Sequence, residues 1–156
     1  MVAAAEKIQR PESLYEKDFH AWIQHQTDLL RDGRLSELDQ QNLLEEIEAM
    51  GRSERHALES NLIVVLLHLL KFQHQPTCRS NSWRASIREH RRRIRRALSD
   101  SPSLNPFLQR IYPGAYRDAR ALAADETDLP NALFPTILPY TLEQVLDPDF
   151  LPDDPA

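Results

Sequence analysis

The sequence predicts an all-α fold: a helical bundle around one central apolar helix, at about residues 53–73, with a Pro-rich C-terminal extension packed on it. Three observations carry this expectation. The run Asn61-Leu62-Ile63-Val64-Val65-Leu66-Leu67-His68-Leu69-Leu70-Lys71 is apolar nearly all the way round a helix, and such a helix has to be enclosed by other elements. The segments on either side place apolar residues at helical spacing, as amphipathic cover would. No stretch alternates apolar and polar residues for more than a few positions, and the chain has only three glycines. A length of 156 residues with 41% hydrophobic and 28% charged side chains suits a single globular core. We therefore expect a flexible arm over 1–12, one bundle over 13–152 that includes a Pro-rich strap at 127–152, and a tail at 153–156.

Ser13-Leu14-Tyr15-Glu16 matches a capping box and opens the first helix. Tyr15, Phe19, Trp22, Ile23, Gln26 and Leu30 share one stripe of it, and Asp32-Gly33 stops it. Ser36-Glu37-Leu38-Asp39 offers the next start, with Leu43, Leu44, Ile47 and Met50 expected as an inner face. Gly51 leaves open whether 39–73 is one bent helix or two. The central helix is expected to run to about Phe72, closed by Gln75-Pro76. Ser82 is a candidate cap for a helix whose Trp83, Ile87, Ile94 and Leu98 lie in one narrow sector, backed by arginines. Ser101-Pro102 suits a helix start. Pro106 and Pro113 are expected to break the segment after it into short helical pieces, the clearer being 115–124. From Pro130 prolines recur at short intervals. Thr141-Leu142-Glu143-Gln144 is a second capping box, and Leu133, Phe134, Ile137, Leu138, Tyr140 and Phe150 are too many apolar residues for a free tail.

Net charge is −5, unevenly spread: −5 over residues 1–78, +8 over 79–120 and −8 over 121–156. A basic middle between acidic flanks is neutralised either by those flanks or by an anionic partner. The single cysteine, Cys78, excludes an internal disulfide, and the N-terminus lacks a charged start followed by an apolar core. The apolar run falls short of the ~18 residues needed to span a bilayer. The expected location is the cytoplasm, with no membrane partner.

Several blocks resemble a known family. They are Tyr15-Glu16-Lys17-Asp18-Phe19-His20-Ala21-Trp22, Leu43-Leu44-Glu45-Glu46-Ile47-Glu48-Ala49-Met50, His68-Leu69-Leu70-Lys71-Phe72, Ser82-Trp83-Arg84-Ala85-Ser86-Ile87-Arg88, Pro102-Ser103-Leu104 and Pro139-Tyr140-Thr141-Leu142-Glu143-Gln144. In this order, over about 14–152, they look like domain-of-unknown-function family 29, small bacterial proteins frequent in cyanobacteria. The resemblance implies an all-helical fold and supplies no activity.

The residues offer four candidate sites. Asp39, Glu46, His68 and His90, with Asn61, Asp18 and His25 nearby on their helices, form a polar seam of the kind a divalent metal needs. The competing reading is that the histidines are buried and hydrogen-bonded to Asp39, Glu46 or Asn61. The helical signatures Glu-x-x-His and His-Glu-x-x-His are absent, and no metal or cofactor is assigned. Arg84, Arg88, Arg92, Arg95 and Arg96, with Arg91 and Arg93, form an anion-binding back on the fourth helix, or a solvated face paired with Glu45, Glu48 or the acidic tail. Cys78, between His74 and Arg79, is a candidate thiol, and no glycine loop or Gly-x-Ser-x-Gly accompanies it. Self-association as a homodimer would cover surplus apolar surface. The expected function is an interaction protein whose basic helix faces an acidic partner or its own acidic tail. The alternatives are a metal-dependent hydrolase using the carboxylate/histidine seam and a nucleic-acid binder using the arginine helix.

Overall fold

The computed structural model describes residues 13–153; the expected arm at 1–12 and residues 154–156 of the expected tail lie outside them. Among the described residues there are six α-helices and four short 3₁₀ turns, 79% of those residues are helical, and no strand occurs. The all-α expectation holds. The backbone groups into two compact units that meet in sequence at Met50 and Gly51.

The first unit holds α1 (Leu14–Lys17), α2 (Phe19–Arg31) and the start of α3 (Gln40–His74). The capping box at Ser13 forms, the Ser13 N–H donating to Glu16 Oε2 at 3.0 Å. The helix it opens lasts one turn. Asp18 leaves helical geometry (φ −149°) and its carboxylate accepts from the Ala21 N–H at 2.9 Å, so it caps a second helix in the manner favoured for Asp. On α2 the buried seam is Trp22, Gln26 and Leu29, a helical i, i+4, i+7 set. Leu30, expected inside, is 51% exposed, because one residue further along turns the side chain by about 100°. Gly33, at φ +71°, closes the helix with a Schellman pair: its N–H reaches Leu30 O, and the Arg34 N–H reaches Leu29 O.

Asp39, the last residue of the expected start, opens α3, accepting from the Asn42 N–H. Leu44, Ile47 and Met50, expected as the inner face, are instead 59%, 64% and 68% exposed. The half-buried side carries Leu43, Glu46 and Ala49. Two polar contacts set this rotation: Tyr15 Oη donates to Glu46, and Trp22 Nε1 donates to Asp39 Oδ2 at 3.1 Å.

The second unit is built on the rest of α3, which runs unbroken through Gly51 to His74, so 39–73 is one helix. Leu58, Leu62, Val65, Leu66, Leu67, Leu69, Leu70 and Phe72 are its buried residues. Against them pack α4 (Asn81–Asp100), α5 (Asn105–Thr127) and the C-terminal strap with its short α6 (Leu142–Leu146). Ser80, two residues before the expected cap, starts α4 by accepting from the Trp83 N–H. α5 is one helix of 23 residues with Pro113 inside it, not a set of short pieces. Pro113 sits on the exposed side, while Leu108, Tyr112, Ala115, Tyr116, Ala119 and Ala123 are buried. An interior proline costs about 3 kcal/mol, and burying even two large side chains at about 1.5–3 kcal/mol each offsets it.

The strap is held through its main chain. Its prolines, which lack an N–H, interrupt regular hydrogen bonding along it, and several of its carbonyls take donors from the bundle. Arg120 donates to Asn131 O and Phe134 O at 2.9 Å each. Tyr116 donates to Pro135 O and Tyr112 to Tyr140 O, both at 2.6 Å. Phe134, Tyr140 and Val145 enter the hydrophobic core. The second capping box forms, with Thr141 accepting from the Gln144 N–H at 3.1 Å.

Candidate functional site

The seam residues fall in separate settings. In the first unit, Asp39 takes the Trp22 indole and the Asn42 amide (2.7 Å) on Oδ2 and gives its N–H to Gln26 Oε1 at 2.8 Å. The Asn42 hydrogen bond, above all, lowers its carboxyl below the ordinary range. Glu46 accepts from Tyr15, which pushes that phenol up to about 12. In the second unit His68 Nδ1 lies 2.9 Å from Val64 O, and His90 Nδ1 lies 2.6 Å from Asn61 Oδ1. An oxygen acceptor at each Nδ1 makes that nitrogen the protonated one if the rings are neutral. Among the described residues no group of three or more His, Cys, Asp or Glu is arranged to hold a metal ion. Cys78 is exposed at the end of a 3₁₀ turn; Arg79 beside it donates to Phe72 O at 2.7 Å and lies over the Phe72 ring.

Two histidines of the second unit are expected to make the protein acid-sensitive. His74 is pressed edge-on against Phe134, its Nε2 buried without a partner, and burial lowers its pKa from 6.5. Burial also lowers His90, helped by Arg93 and His68 and opposed by Glu89. In both cases the folded state resists a proton that the unfolded chain accepts near 6.5. Their contribution to stability is therefore complete above the unfolded value and lost as pH falls through the folded ones. Urea midpoints measured from about pH 7.5 down to 5 are expected to fall. His74→Leu is expected to flatten that fall without lowering the midpoint at neutral pH.

The arginine helix holds a residue that the sequence places wrongly. Arg91, expected among the arginines that could track a nucleic-acid backbone, is 1% exposed. It occupies the inward register with Ile87 and Ile94, a signal visible in the i, i+4, i+7 spacing. Its guanidinium donates to Val145 O (2.7 Å), Phe150 O (2.9 Å) and Gln144 O (3.4 Å). Two of these are carbonyls of the last turn of α6, which a helix leaves unpaired. Burial pulls Arg91 down to about 10, with Asp147 opposing, so it stays charged at neutral pH.

The remaining arginines of α4 are exposed. Arg92 and Arg93 share Glu89 of their own helix at 2.9 Å and hold its carboxyl at about 2. Arg96 approaches Asp100 at 3.6 Å, and Arg84 lies over the Phe72 ring. Among the described residues no ion pair joins an α4 arginine to an acid of the C-terminal strap. Arg84 and Arg88 line a pocket of about 180 Å³ with Pro148, Asp149 and Leu151. A larger groove of about 360 Å³ runs between α3 and α4. The buried Leu58 and Ile94 form its apolar floor, Ala57, Ala97 and Asn61 lie along it, and the exposed Glu54, Arg92, Arg93, Arg96 and Asp100 line its rim.

An all-helical unit with a strapped core and an arginine-rimmed surface groove defines a class of architecture, not a chemistry. Residues 14–151 match the domain of unknown function DUF29, and the chain belongs to that family. No curated protein and no solved structure matches it. Among the described residues no helix is long and apolar enough to cross a membrane.

Proposed function

We propose that the protein is an interaction module of the cytoplasm whose α3–α4 groove receives an acidic, amphipathic helix of a protein partner. The supporting observation is the state of the α4 arginines. Among the described residues the acidic strap hydrogen-bonds Arg91 alone of the α4 arginines, through carbonyls, while Arg92, Arg93 and Arg96, which line the groove, pair with acids of their own helix. A groove with an apolar floor and a cationic rim suits a helix with an apolar face and acidic flanks. A reducing compartment suits the single exposed thiol.

The test is fluorescence anisotropy with a labelled Glu-rich helical peptide carrying leucines at i, i+3 and i+4, beside a scrambled peptide, duplex DNA and RNA. The amphipathic peptide is expected to bind, to weaken with salt, and to lose at least about tenfold in affinity against Arg93→Glu/Arg96→Glu. Equal binding of the scrambled peptide, or tighter binding of either nucleic acid, would overturn the reading.

A further inference from the structure

Resting on that reading of the groove, we propose that its occupant is a second copy of this chain, which inserts the exposed apolar stripe Leu44, Ile47 and Met50 at the start of α3. Each of the three is more than half exposed, and they succeed one another at i, i+3, i+6. Scattered exposed apolar residues need no explanation, but an ordered stripe on one helix face does. Glu45 and Glu48 run along its Leu44 edge, as their 100° steps around the helix require. Acid beside apolar is what the groove's arginines and apolar floor complement.

Charge also decides against the other way of covering the stripe, on the same stripe of a second copy. That pairing would set Glu45 against its own counterpart, whereas the groove is lined by Arg92, Arg93 and Arg96 against Glu54 and Asp100. Lengths agree as well. The stripe spans about 9 Å of helix, and the groove runs about 10 Å along α3 from Glu54 to Asn61, at about 1.5 Å per residue. Ala57 and Ala97, small residues of the lining, leave room for the large side chains of an incoming helix. Each copy offers one stripe and one groove, so every copy can both give and receive the contact.

Sedimentation equilibrium of the full chain tests this. A mass rising with concentration above that of one chain is expected at low salt, and about 0.5 M salt should lower it. Ile47→Lys and, separately, Leu44→Glu are expected to keep the circular dichroism of the native protein, because both side chains are exposed, and to remain monomeric at about tenfold higher concentration. Arg93→Glu should do the same, and adding Glu45→Arg to it should restore association. A wild-type chain that stays monomeric throughout, or an Ile47→Lys chain that associates as wild type does, overturns the proposal. The acidic peptide titrated into Ile47→Lys separates the two readings: if the peptide binds while the wild type never associates, the groove stands and only its occupant is wrong; if the peptide fails to bind, the groove reading falls as well.

Discussion

Replacing Arg91 by leucine is expected to lower the free energy of unfolding by about 3–5 kcal/mol, a loss typical of breaking a buried, hydrogen-bonded charged group. Arg91 is almost fully buried and supplies three donors to the strap. Leucine fills part of the space but leaves Val145 O and Phe150 O facing apolar side chains without a donor. Gln144 O suffers less, because the Asp147 N–H also reaches it. Lysine should recover less than half of the loss, since a point charge on a flexible stem cannot serve three diverging carbonyls as the planar fork does. Urea denaturation followed by circular dichroism measures both variants. A change within about 0.5 kcal/mol, the range of an ordinary surface substitution, would mean that Arg91 is not the anchor its geometry describes.

What could be read in advance divides along the range of the interaction. The central helix was legible because Leu62–Leu70 is apolar on every face, and the capping boxes at Ser13 and Thr141 because both partners lie within three residues. Local chemistry also hid things. Asp18 is a good helix cap, and nothing nearby in sequence says whether it will break a helix or ride within one. The stripe Leu44, Ile47, Met50 shows how far periodicity goes: it identifies an apolar face without saying what covers it. The rotation of α3 is fixed by Tyr15 on Glu46 and Trp22 on Asp39, contacts 31 and 17 residues apart, which no pattern within a helix encodes. The same holds for the candidate seam, where Asp39 and Glu46 take their partners from α1 and α2 while His90 takes Asn61 from 29 residues away. Arg91 was hidden by composition: six arginines around it made the whole segment look like surface, although its register with Ile87 and Ile94 placed it inside.

Phe134→Ala asks whether the strap belongs to the fold or merely lies on it, and a loss of about 3–5 kcal/mol is expected, as for other buried aromatics cut to alanine. The ring is 1% exposed and its edge meets His74. Removing it leaves a cavity beside an imidazole nitrogen that already lacks a partner. Arg120 would still hold the Phe134 carbonyl, so the loss reports side-chain packing rather than the main-chain tether. Arg91 ties residues 144–150 and Phe134 the opposite end, which makes the double variant informative. If the strap docks as one unit, the first substitution loosens what the second would lose, and the combined effect falls short of the sum. If its two ends dock independently, the losses add. Limited proteolysis supplies the second readout: in either single variant, cleavage between 127 and 152 should quicken before the bundle helices are cut, because a strap held by few contacts opens at a lower free energy than the core. Cleavage that starts in α3 instead would show the strap and the core opening together.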